Sequence, residues 1–260
     1  AVVVFAIMMI GAAVVFIKTK PRTQAMIAIG LLIVYWLLMT CVPVPGLGYA
    51  NLEKETNLGA WLDRTLLGES HLWKLSVSWD PEGILGTLPA IATALLGVLT
   101  GHWLKRNDWQ ESTKVAWMFT AGCLITLLGL LWNFVFPINK ALWTSSYMLY
   151  TGGLAMVGFA LCYWLVDVQG YKKWTKPFVV YGVNALAAFF LSTLGAKLLN
   201  LPLVGHSSGE PLSTKAWLYQ TLFEPYFPPL DASLAMALVY VLVWLLILWV
   251  MYAKKIFIKI

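Results

Sequence analysis

Two carboxylates stand two residues apart in Asp80-Pro81-Glu82-Gly83, just before a long apolar run. Acids so placed could share a proton, bind a cation, or orient an amine by charge-assisted hydrogen bonds. They also suit a helix start, where negative charge meets the macrodipole and Pro fits the first turn. Capping accounts for one acid more readily than for two. A second polar group, Asn139-Lys140-Ala141-Leu142-Trp143, occupies a tight turn. Its amide, ammonium and indole could hold a polar ligand; equally, they make an interfacial turn with a snorkelling Lys and an anchoring Trp. Asn184 falls within an apolar run, roughly 10 Å from its start at the helical rise. An amide in hydrocarbon needs partners, either a ligand or a neighbouring helix.

The remaining reactive side chains carry weaker signals. His71, His102 and His206 have no Ser or Cys nucleophile at motif spacing and no metal-ligand spacing. His71, in a loop, is retained as a candidate substrate contact, and no metal site is expected. Cys41, Cys123 and Cys162 lie in or beside apolar runs without a CxxC pattern, and read as small apolar packing residues.

The elements that must position these residues are set by composition. Of 260 residues, 60% are hydrophobic and 12% charged, with a mean hydropathy of +0.76, which excludes an ordinary soluble domain. Roughly 20 apolar residues cross a bilayer core. Seven runs approach that length: 1–17, 24–42, 84–104, 115–135, 145–165, 177–199 and 234–252. The fold class is therefore all-α, a polytopic transmembrane helix bundle of about seven spans forming a single transmembrane domain over residues 1–260. The first run begins abruptly, without a signal-peptide pattern, so more spans are expected upstream.

Charge sets the orientation. Lys18, Lys20, Arg22, Lys105, Arg106, Lys114, Lys172, Lys173, Lys176, Lys254, Lys255 and Lys259 fall on one side, against the acids Asp108, Glu111 and Asp167. The other side holds most of the acids. By the positive-inside rule the basic side, with the C-terminus, is cytoplasmic. The net charge of +6 then needs no nucleic-acid partner; the bilayer is the partner it implies. Trp103, Trp132, Trp143 and Trp164, near run ends, fit interfacial anchors.

Residues 43–83 and 200–233 form long external loops, and 136–144 a short one. In the first, Asn57 followed by Leu58, Trp61, Leu62, Leu66 and Leu67 predicts an amphipathic helix capped by Asn57. Gly97 and Gly101 form a GxxxG that permits close helix packing within the chain, or in a homodimer.

Several of these stretches together resemble one family. They are Trp61-Leu62-Asp63-Arg64-Thr65-Leu66-Leu67-Gly68, His71-Leu72, Asp80-Pro81-Glu82-Gly83-Ile84-Leu85-Gly86-Thr87, Pro137-Ile138-Asn139-Lys140-Ala141-Leu142-Trp143, Val166-Asp167-Val168-Gln169-Gly170 and Lys254-Lys255-Ile256-Phe257. In this order, from about residue 25 to the C-terminus, the chain is similar to the heparan-α-glucosaminide N-acetyltransferase family, and to its bacterial members in particular. The resemblance implies a multi-pass enzyme of the bacterial inner membrane. It would move an acetyl group from cytoplasmic acetyl-CoA, as co-substrate, to an amino sugar or saccharide on the periplasmic side. The family's catalytic histidine lies in an early non-cytoplasmic loop that no position here matches, and His71 matches a different family position. Asp80, Glu82, Asn139, Lys140, Trp143, Asn184 and His71 remain the candidate substrate contacts. A transporter or flippase of a polar solute or lipid-linked sugar is the alternative, since paired acids and a buried Asn would serve it too.

Overall fold

The computed structural model describes residues 2–72, 78–202, 204–205 and 211–258, with side chains described for all of these except 2–7, 204–205 and 211. His206, Lys74, Glu210 and Lys259 fall outside them. The chain divides into two compact units, Ala1–Gly170 and Tyr171–Ile260.

The first unit is helical throughout: α1 (Val2–Lys18), α2 (Pro21–Cys41), α3 (Leu58–Leu67), α4 (Thr87–Leu104), α5 (Glu111–Trp132) and α6 (Ser145–Tyr163). Helix α6 runs on into a π-helical turn, Trp164–Val168. Pro21 begins α2 at a position where a missing N–H costs nothing. Helices α1 and α2 pack on α4, and α5 packs on α6. Glycine sets the closeness of the second pair. A Cβ on Gly129 would stand 2.5 Å from the Tyr150 amide nitrogen, and one on Gly122 2.9 Å from the Gly153 carbonyl oxygen. By contrast, nothing lies within 4 Å of a Cβ built on Gly97 or Gly101. Among the described residues, the GxxxG of α4 therefore meets no packing partner. The small-residue seam is at α5 and α6, where the glycines do not follow a GxxxG spacing.

One end of this unit is basic. The Gln24 side chain, 1% exposed, donates to the Phe16 and Thr19 carbonyls, tying α2 to α1. The buried Lys114 ammonium donates to the Leu104 carbonyl at 3.3 Å and pairs with Glu111 at 2.9 Å. Tyr163 donates to the other oxygen of Glu111 at 2.6 Å. Thus α4, α5 and α6 are joined there. The opposite end is closed by a core of Tyr35, Met39, Val44, Leu58, Phe136 and Leu142. Helix α3 contributes Leu58 to this core, and Asn57 caps it by accepting the Ala60 N–H at 3.0 Å. The amphipathic helix read from the sequence is present, lying against the bundle.

The second unit holds α7 (Lys176–Val183), α8 (Ala185–Leu199), α9 (Thr214–Leu222) and α10 (Pro229–Ala253), with a short antiparallel pair, β1 (Val204–Gly205) and β2 (Pro211–Leu212). Helices α7 and α8 meet at Asn184 with a bend of 72°. Asn184 leaves helical geometry (φ −120°, ψ 36°), so the run from 177 to 199 is broken where the sequence reads one straight helix.

Five segments are long and apolar enough to cross a membrane: α2, α4, α5, Ser145–Val168 and α10. The bent α7–α8 pair makes a sixth if it counts as one span. The first apolar run supplies α1, of 17 residues and shorter than the five, so among the described residues the expected count of seven becomes five or six. Cys41, Cys123 and Cys162 are exposed on helix surfaces, not packed as the sequence suggested.

Candidate functional site

At the end of the first unit opposite the basic cluster, three segments converge on a small cleft. They are α3, the lead-in to α4, and the turn between α5 and α6. The cleft holds about 20 Å³, room for roughly one water molecule. Tyr35, Lys54, Asn57, Asp63, Asp80 and Gly83 line it, with Ala141 and Leu142 from the turn.

Each wall has a local cause. In the lead-in, Asp80 accepts the Glu82 N–H at 2.9 Å through its side chain and the Gly83 N–H at 3.2 Å through its carbonyl, folding 80–83 into a tight turn. In the α5–α6 turn, Asn139 Oδ1 accepts the Ala141 N–H at 2.9 Å, while the Thr144 hydroxyl donates to Pro137 and accepts the Asn139 N–H. Trp143 takes a left-handed backbone conformation (φ 50°), and its indole N–H donates to Thr93 on α4 at 3.2 Å. Two bonds fasten this turn to α2: Tyr35 donates to the Leu142 carbonyl at 2.6 Å, and Ser145 donates to the Leu32 carbonyl at 2.7 Å.

The central group is Asp63, 1% exposed. Its Oδ1 accepts the Ile84 N–H at 2.9 Å; Oδ2 carries no hydrogen bond among the described residues. Burial pushes the Asp63 carboxyl above the ordinary carboxylate range, and the nearby charge of Asp80 pushes the same way. The Ile84 N–H and the Arg64 guanidinium oppose that shift.

The sequence-derived candidates divide around this cleft. Asp80 lines it. Asn139 does not, but its side chain shapes the turn that does. Glu82 and Lys140 are exposed outside it, and Trp143 packs edge-on against Tyr147. His71 is exposed on a short 3-10 turn, its Nδ1 2.8 Å from the Leu67 carbonyl oxygen. Asn184 belongs to the second unit. Its Nδ2 donates to the Ile256 carbonyl at 3.0 Å and its Oδ1 accepts the Ile258 N–H at 2.9 Å, so the chain's own tail supplies its partners. The acid facing Asp80 is thus Asp63 from another segment, rather than Glu82 beside it. Tyr35 and Lys54 also went unmarked in the sequence.

Beneath the cleft lies an apolar slot of about 560 Å³ between α2, α4, α5 and α6. Along α2 it is lined by Ala25, Ala28 and Leu32, and Tyr35 of the cleft follows one turn later. Along α4, Leu99, Leu96 and Ala92 line the slot, and Leu85 and Gly86 the cleft. At the basic end Lys18, Lys20, Arg22 and Lys105 are exposed, whereas Arg106 pairs with Asp108 and stands over the Trp109 ring.

No family model matches the chain. It is similar to the heparan-alpha-glucosaminide N-acetyltransferase of Homo sapiens, 31% identical over 268 residues, which cover 86% of this chain and 35% of that protein. It is similar also to the Mus musculus protein of the same name, 30% identical over 254 residues, covering 86% of this chain and 36% of the relative. The chain therefore spans about a third of the length of the curated relatives it matches.

Proposed function

We propose that this chain forms the acceptor-facing part of a transmembrane acetyltransferase, which passes acetyl from acetyl-CoA to the amine of an amino sugar across the bilayer. The observation that carries this reading is an apolar slot along α2 and α4 that is followed, at Tyr35 on α2 and at Leu85 and Gly86 just before α4, by an acidic cleft. An acyl donor bridging the membrane needs an apolar passage, and an ammonium acceptor needs carboxylates at its far end. The exposed Lys18, Lys20, Arg22 and Lys105 would meet the donor's phosphates on the cytoplasmic face. Asp80 would orient the acceptor ammonium, with Asn139 holding the turn that forms the opposite wall. By the same reading the basic end is cytoplasmic, the cleft is periplasmic and the membrane is a bacterial inner membrane. The similarity to two N-acetyltransferases named for a glucosaminide supports the same chemistry.

Acetylation of glucosamine by the full-length protein, with radiolabelled acetyl-CoA confined to one face of proteoliposomes, tests this directly. Label should appear on the acceptor at the opposite face. The transporter reading draws on the broken helix at Asn184, since discontinuous helices line many transport sites. Saturable solute movement without acetyl transfer would establish it in place of the enzyme.

A further inference from the structure

An amine is acylated only as its free base, so an acceptor that arrives as an ammonium must lose a proton at the cleft. Lys54 is already cationic and takes no proton. Asp80 uses Oδ1 to hold the Glu82 N–H, and its segment is less buried than Asp63. Tyr35 donates its proton to the Leu142 carbonyl. Among the described residues of this cleft that leaves Asp63, a buried carboxyl with one oxygen on the Ile84 N–H and the other packed against Gly83 without a hydrogen bond. The cleft has room for about one water, which is also about the size of an ammonium group.

Resting on the acetyltransferase reading, we infer that Asp63 is a catalytic residue, the general base that takes a proton from the acceptor amine. The ammonium gives one proton to the Asp63 carboxylate, leaving a neutral amine and a carboxylic acid. The amine nitrogen then bonds to the thioester carbonyl carbon, and the carbon–sulfur bond breaks. The second N–H proton leaves with the thiolate as coenzyme A thiol, and Asp63 returns its proton to solvent. The net reaction releases one proton. The bond from Ile84 fixes the plane of the carboxyl, as a base on a rigid backbone requires. Its elevated protonation range, set by burial and Asp80, narrows the gap to an amine and makes the transfer less uphill. Among the described residues, Arg64 and Lys54 are the cations near it, Asp80 the anion, and Tyr35 the remaining titratable group at the cleft.

The discriminating variant is Asp63→Asn, which keeps an oxygen for the Ile84 N–H but cannot accept the proton. Expected in the full-length protein is a fall in kcat of about 100-fold or more with a much smaller change in KM. Asp63→Glu should keep measurable turnover and move the acid limb of the kcat/KM–pH profile. Wild-type kcat in Asp63→Asn overturns the assignment, as does an acid limb unmoved in Asp63→Glu, which decides the matter if the Asn variant fails to fold. Absence of acetyl transfer in the wild type itself would instead remove the acetyltransferase reading on which the inference stands.

Discussion

The Asp63 carboxylate occupies the space where a side chain on residue 83 would begin. A Cβ built on Gly83 would overlap the carboxyl group, with the Asp63 carboxyl carbon only 2.9 Å away. Gly83 has an ordinary backbone here, so a close approach and not a turn requires glycine. The two residues belong to segments twenty positions apart, and each fixes what the other can be.

Gly83→Ala should therefore expel the Asp63 carboxyl from its place and break the bond to Ile84. Overpacking of this kind costs about 1–3 kcal/mol. In an Asp63→Ala background, where the conflict is gone, the same glycine substitution should cost much less. A double-mutant cycle on thermal or denaturant unfolding in detergent measures the coupling, and additive effects would mean the two residues are independent.

The buried carboxyl also makes stability depend on pH. Its native protonation range is raised, so its contribution is fully present below the unfolded carboxylate range, near 3.8, and is lost as pH rises through the native value. Asp63→Asn removes that dependence. The melting temperature of this variant relative to wild type should be highest at neutral pH and decline on acidification toward pH 4. A constant difference across that range would show that Asp63 is not held in an unfavourable charged state.

Much of the fold is legible in the sequence because hydrocarbon imposes simple rules. Apolar length marks the spans, Asn57 marks the start of α3, and basic residues collect at one end of the first unit. The site is less legible. Helical periodicity puts Leu58, Leu62 and Leu66 on one face, and nothing in that pattern marks Asp63 as the buried acid. Its burial follows from contact with a segment distant in sequence, which spacing does not encode. Asp80 and Glu82 read as a pair because they are close in the chain, yet Asp80 lines the cleft and Glu82 is exposed outside it.

Glycine spacing misleads for a related reason. Gly97 and Gly101 match the familiar motif and meet nothing among the described residues, whereas Gly122, Gly129 and Gly153 bring α5 and α6 into backbone contact. Gly129→Ala and Gly153→Ala should each destabilise the protein by about 1–3 kcal/mol: the atoms nearest Gly129 are all backbone, and at Gly153 the Thr126 nitrogen and Gly122 carbonyl oxygen stand just behind the Thr126 hydroxyl, so neither site can simply make room. Gly97→Ala should be neutral or slightly stabilising in the monomer. Unfolding in detergent, with size-exclusion chromatography to follow assembly, separates the cases; a strong loss in Gly97→Ala would point to a partner on that face.

Asn184 makes a further prediction. Lys255 takes a left-handed conformation (φ 55°), and both polar atoms of the Asn184 side chain then meet the backbone at Ile256 and Ile258. Asn184→Ala leaves that N–H and carbonyl without partners, a cost of about 1–3 kcal/mol where water cannot replace them. The loss should be local, with faster hydrogen exchange at 256–258 and protease cleavage after Lys254 or Lys255. Asn184→Asp keeps only the acceptor and should behave similarly. Unchanged exchange in both variants would mean that the tail is held by its apolar side chains alone.

Asp80 lines the cleft and lies near enough to Asp63 to raise its protonation range, while Glu82 is exposed and outside. In Asp80→Asn the side-chain oxygen that accepts the Glu82 N–H is retained, so the turn should persist and only the negative charge is lost. An ammonium acceptor would then bind less well, raising KM by about 5- to 10-fold, the equivalent of roughly 1–1.4 kcal/mol for a charged contact. The same substitution lowers the Asp63 protonation range, so the acid limb of the pH profile should move to lower pH. Glu82→Gln should change neither quantity. Steady-state acetylation kinetics over pH distinguish these outcomes, and equal effects in Asp80→Asn and Glu82→Gln would return the acceptor site to the exposed pair.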